Sequence, residues 1–83
     1  MAYNFTVKRE RNDWEVHVDP SRLYGYFEFV GDDENRYVEG GLWFDARNGK
    51  LELSDFDGTF SLPRDVAAML TEAGFVVSEE FTI

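Results

Sequence analysis

Apolar residues return at every second position through much of the first two-thirds of this chain. Tyr3, Phe5 and Val7 alternate with Asn4, Thr6 and Lys8, and Trp14, Val16 and Val18 alternate with Glu15, His17 and Asp19. A period of two puts one set of side chains on a buried face and the other on a solvated face, the pattern of a β-strand. Arg11-Asn12-Asp13 separates the two runs, so residues 2–19 read as a hairpin. Pro20 and Ser21 end it. A strand over 23–30 follows, then the polar loop Gly31-Asp32-Asp33-Glu34-Asn35, then a partner strand over 36–44. Gly40-Gly41 inside that partner predicts a bulge or a bend, because glycine packs poorly in a regular ladder. Asn48-Gly49 predicts a tight turn into a strand over 50–56. Asp57-Gly58 predicts another, into a short extended piece at 59–61.

One segment departs from this period. In LPRDVAAMLTEAGF, Val66, Met69, Leu70 and Ala73 share a face at helical spacing, which predicts a helix near 63–73. Pro63 suits the first turn and Asp65 the positive end of the helix dipole. Gly74 suits the left-handed position after the last turn, with Phe75 folding back. Alternation resumes at Phe75, Val77, Phe81 and Ile83, with Glu79 out of pattern, and predicts a C-terminal strand. The reading is α+β: residues 1–83 as one compact two-layer domain. It has a mostly antiparallel sheet of five to six strands, hairpins first, with one helix on one face. A small, strongly bent barrel plugged by the helix is the alternative. The expected core is Phe5, Val7, Trp14, Val16, Phe27, Phe29, Leu42, Phe44, Leu51, Leu53, Val66, Met69, Leu70, Phe75, Val77 and Phe81.

Charge limits the partners. The chain has 17 acidic and 8 basic residues, a net charge of -9. Nucleic-acid binding draws most of its affinity from neutralising phosphates. The one basic cluster, Lys8, Arg9 and Arg11, is diluted by Glu10 and Asp13. No direct nucleic-acid contact is therefore expected; a protein with a basic surface is the expected partner. There is no cysteine, which excludes disulfides and thiolate metal sites. No apolar run approaches the roughly 20 residues of a membrane span. MAYNFTVKRERND lacks the apolar stretch of a signal peptide, so the cytoplasm is the expected compartment and no membrane partner is expected.

Motifs for chemistry are missing. His17 is the single histidine, and nothing beside it supplies a nucleophile signature. Asp55-Phe56-Asp57-Gly58 matches part of a calcium loop, but Leu53 and Arg64 stand where that loop needs ligands. Asp55/Asp57 and Glu79/Glu80 are carboxylate pairs of the kind that acid–base work or a metal would use, and the Gly31–Asn35 segment reads as a solvated turn. Gly40-Gly41 lacks the lysine and helix of a phosphate loop. The expectation is a protein that is not an enzyme, with no catalytic residue, no cofactor and no metal.

What remains is one face of the second hairpin. Phe27 and Phe29 take one side of their strand; Tyr24, Tyr26 and Glu28 take the other. Strict alternation then sets Val38, Leu42 and Phe44 against Tyr37, Glu39, Gly41 and Trp43. Tyr24, Tyr26, Glu28, Tyr37, Glu39 and Trp43 thus form the expected partner-binding patch, since tyrosine and tryptophan join large contact area to a polar handle. The plainer reading is that cross-strand aromatic pairs merely stabilise a solvated face. A bulge at Gly40-Gly41 would instead turn Trp43 into the core.

The expected function is a small, acidic, non-catalytic binding or inhibitory module that occupies a basic, nucleic-acid-binding surface of a partner protein. In size and charge the chain is similar to small acidic inhibitors from phages and mobile elements, such as anti-restriction and anti-CRISPR proteins. It is similar in the same way to bacterial immunity proteins and antitoxins. That likeness is one of composition, and it carries over no functional residue. A small ligand-binding domain, or an assembly component joined through a sheet edge, are the alternatives.

Overall fold

Pairing between neighbours in the chain builds the whole sheet. The computed structural model describes residues 3–8, 13–31, 36–58 and 61–82, and of 3–8, 13 and 36 only the backbone course. Strand β1 (Tyr3–Lys8) pairs with β2 (Asp13–Asp19), β2 with β3 (Tyr24–Val30), β3 with β4 (Arg36–Arg47) and β4 with β5 (Lys50–Gly58). All four pairings are antiparallel, and the order across the sheet is the order in the chain. The sheet stays open, so the bent-barrel alternative is not adopted. Helix α1 (Arg64–Glu72) lies on one face, where it packs against β2. This is an α+β arrangement of an antiparallel sheet and one helix. No helix among the described residues is long and apolar enough to cross a membrane.

Turns follow local chemistry. Asn48 and Gly49 both have positive φ, 53° and 78°, as a two-residue turn matched to strand twist requires. The turn after β2 was less legible. Leu23 does not begin β3; it closes the turn at φ 56°, and its carbonyl accepts the Phe44 N–H at 3.0 Å. Strands β4 and β5 run on beyond the predicted ends, to Arg47 and Gly58. The Gly31–Asn35 loop, the Arg11-Asn12 turn and the 59–61 piece lie wholly or partly outside the described residues.

The helix matches its predicted span to within a residue at each end. Pro63, at φ -59° and ψ 139°, stands just before the first turn, and its carbonyl accepts the Ala67 N–H. At the other end the Gly74 N–H donates to Thr71 O and the Phe75 N–H to Leu70 O, both at 3.0 Å. With Gly74 at φ 98°, this is a Schellman closure, and it returns Phe75 to the core against Phe44.

The predicted C-terminal strand does not form among the described residues. Val76 makes a single parallel bridge beside β5: Leu53 N–H donates to Val76 O at 2.8 Å, and Val76 N–H to Leu51 O at 2.9 Å. Ser78 then ends the extension. Its carbonyl accepts the Phe81 N–H, and Glu79–Thr82 curl into a 3₁₀ turn. That turn brings Phe81 edge-on to Phe56, with centroids 5.8 Å apart. The apolar alternation there reflects a turn that reaches the core, not a strand.

Val16, Val18, Phe27, Leu42, Phe44, Leu53, Leu62, Val66, Met69, Leu70 and Phe75 are buried. Trp14, Leu51, Phe56, Ala67, Val77 and Phe81 pack against them half-buried. Val18 and Leu62 are absent from the expected core. Val18 continues the inward side of β2, and Leu62 is held by its N–H bond to Phe81 O at 2.8 Å. Phe29 is half-buried and leans on Trp14 instead. The side chains of Phe5 and Val7 lie outside the described set.

Two extra residues bend this sheet. The β3–β4 register passes from Glu28↔Val38 to Phe27↔Gly40, leaving Glu39 as the bulged residue. The β4–β5 register passes from Trp43↔Asp55 to Phe44↔Leu53, leaving Ser54, whose hydroxyl donates to Trp43 O at 3.2 Å. Gly40 is packed beneath the Phe27 ring. A Cβ there would lie 2.9 Å from two ring carbons and would collide with the Asp57 carbonyl oxygen. At Gly41 a Cβ would meet only the outer ends of Trp43 and Tyr24, at 3.1 and 3.3 Å. Gly40→Ala should therefore destabilise by about 1–3 kcal/mol in chemical denaturation, and Gly41→Ala by clearly less. Equal costs would contradict the bulge geometry.

Candidate protein-binding face

The face away from α1 is set by cross-strand rows. In one row Asp19, Tyr24, Trp43 and Asp55 are successive partners across β2 to β5. In the next, His17, Tyr26, Gly41 and Asp57 are partners. In the third, Glu15, Glu28 and Val38 are partners. Period two on each strand turns all of these away from Val16, Phe27 and Leu42.

Tyr24 and Trp43 touch edge to face, with centroids 5.4 Å apart at 63°. Both remain about two-fifths exposed, at 40% and 38%. Gly41 lets them do so, because its missing side chain leaves room beside the Trp43 ring. The result is a groove of about 570 Å³ lined by Tyr24, Val38, Glu39, Gly40, Gly41, Trp43, Asp57 and Gly58. A second concavity, about 300 Å³, passes His17, Asp19, Arg22, Tyr24 and Tyr26.

The electrostatics are one-sided. Among the described residues no basic side chain pairs with Glu39, Asp55 or Asp57. Nearby cations are engaged elsewhere. Arg22 Nε lies 3.6 Å from Asp19 Oδ2, and Arg47 Nε lies 3.3 Å from Glu52 Oε1. The Ser21 hydroxyl donates to Asp19 Oδ1 at 2.6 Å, and that bond holds the Asp19 carboxyl below the usual aspartate value. Asp55 accepts the Phe56 N–H through Oδ1 at 2.9 Å.

The patch expected from strict alternation is only partly assembled. Tyr24, Tyr26, Glu28 and Trp43 share the outer face, and Glu39 joins the groove from the bulge. Tyr37 does not share it. The extra residue at Glu39 inverts the side of everything before it in β4. Tyr37 therefore stands opposite Phe29, ring centroids 5.6 Å apart, on the side that carries Trp14. Val38 takes the outer position instead and is 61% exposed. Trp43 lies beyond the bulge, so it is not turned into the core.

Also missed were Asp57 as a groove residue, Asp55 as the cross-strand partner of Trp43, and the meeting of Glu15, His17 and Glu28. His17 stacks on Tyr26, with centroids 4.7 Å apart at 18°. Its Nε2 lies 3.6 Å from Glu15 Oε1 and 3.7 Å from Glu28 Oε1. Only the register across β2, β3, β4 and β5 reveals these contacts. Comparison with family models, with curated proteins and with solved structures returns no match to this chain.

A double-mutant cycle checks the face. Tyr24→Ala and Trp43→Ala should couple by about 0.5–1.5 kcal/mol in stability. Tyr37→Ala should instead couple to Phe29→Ala, because those two rings meet on the opposite side. Absence of coupling in either cycle would contradict this placement.

Proposed function

We propose that this chain is a non-catalytic protein-binding module that receives basic side chains of a partner on its outer sheet face. The observation that carries this reading is the groove where Tyr24 and Trp43 stand beside Glu39 and Asp57. A guanidinium suits that combination. It stacks on aromatic faces, it forks onto carboxylates, and it is less strongly hydrated than an ammonium. Tryptophan, tyrosine and desolvated charge are also the usual sources of binding energy at interfaces.

A surface that receives arginine competes with phosphate for the same basic sites. The net charge of -9 therefore supports an inhibitory role, with carboxylates placed where a nucleic acid's phosphates would sit. An inhibitor of the phage or mobile-element kind, acting on a nucleic-acid-handling protein in the cytoplasm, fits this chemistry.

Affinity capture from the native host tests it, using wild type and Asp57→Lys in parallel at low and high salt. A basic partner should be held by wild type at low salt, released at high salt, and lost with Asp57→Lys. Adding the captured partner's nucleic acid should displace it. Capture that ignores both salt and the substitution would overturn the reading.

A further inference from the structure

The cluster of Glu15, His17 and Glu28 lies apart from the groove. Glu15 and His17 are two residues apart on β2 and therefore share its outer side, while Glu28 is the direct cross-strand partner of Glu15 on β3. The backbone of two paired strands thus fixes all three origins. The donor atoms, Nε2 and one oxygen of each carboxylate, lie within 4.8 Å of one another.

Three features distinguish this set from a solvated acidic patch. Its side chains are largely withdrawn from water: Glu15 is 14% exposed, Glu28 13% and His17 22%. Two carboxylates are directly opposed across the ladder, so an oxygen of each can face one shared ion. The imidazole plane is fixed by its stack on Tyr26, which leaves Nε2 beside both carboxylates. The separations of 3.6 and 3.7 Å are long for hydrogen bonds. Oxygen and nitrogen ligands about 2.0–2.2 Å from a tetrahedral ion lie roughly 3.3–3.6 Å from one another, so a small closure would seat one.

We propose that Glu15, His17 and Glu28 form a binding site for a divalent first-row transition ion of the zinc class. Nε2 and one oxygen from each glutamate are the protein ligands. Imidazole selects for such ions over magnesium or calcium, and two carboxylates neutralise the charge. Water completes the coordination on the open side of the sheet. Binding cross-links β2 to β3 and stabilises the sheet by mass action.

Isothermal titration of the metal-free chain with zinc chloride tests the proposal, with cobalt(II) absorption as a second readout. One ion should bind per chain, and cobalt should give a ligand-field band. Glu28→Gln keeps the shape of the side chain and should weaken zinc by at least about tenfold. His17→Phe keeps a ring on Tyr26 and should abolish both signals, while Glu79→Gln on the exposed 3₁₀ turn should change neither. Melts without metal show which variants fold, and Glu28→Gln alone decides the matter if His17→Phe does not. Failure to bind zinc or cobalt overturns the site, as does equal binding by wild type and Glu28→Gln. The second result would mean that Glu28 is not a ligand.

Discussion

The extra residue in β4 decides which side chains this protein shows. Glu39 has no partner on β3, and the next residue, Gly40, lies under Phe27 with its backbone against that of Asp57. Phe27 is buried in the middle of the core, so its ring position is not negotiable. Only a residue without Cβ lets β4 pass beneath it. The bulge follows from that close approach. It reverses the sidedness of Tyr37 and Val38 while leaving Leu42, Trp43 and Phe44 in the phase that the core demands.

From this comes the division between the two faces. Below the sheet, α1 and the curled C-terminal segment cover Val16, Phe27, Leu42 and Leu53. Above it, nothing among the described elements covers Tyr24 and Trp43, and Gly41 leaves a gap beside them. A sheet that merely needed a solvated face would be served by charged and β-branched residues. Here two aromatic rings stand among the carboxylates of Glu39, Asp55 and Asp57, which meet no basic side chain among the described residues, a surface suited to a cation. His17 belongs to a separate neighbourhood, held by Tyr26 and the two glutamates.

Much of the fold was legible because period two and period 3.6 report burial directly. The hairpins, the Asn48-Gly49 turn and the Gly74 cap each carry their own local signature. What sequence could not supply was register. A bulge is one residue in a ladder, and Gly40-Gly41 announces it without saying which residue is extra. Placing it at Glu39 moves Tyr37 off the face and brings Val38 onto it. Asp55 and Asp57 were visible as carboxylates, but only pairing with Trp43 and Gly41 brings them to the outer face, where Asp57 lines the groove. The C-terminal segment misled for another reason. Phe75, Val77 and Phe81 mark burial correctly, yet a bridge and a 3₁₀ turn bury them as well as a strand would.

The central claim is that the Tyr24–Trp43 groove, bounded by Glu39 and Asp57, is built to hold a basic side chain. Its most direct measurement is a nuclear magnetic resonance titration of the labelled chain with a short arginine-rich peptide. The account predicts shifts concentrated on the Trp43 indole, the Tyr24 ring and the amides of Gly41 and Asp57, with α1 undisturbed. Shifts centred on α1 or on Tyr37, or none at all at millimolar peptide, would contradict it.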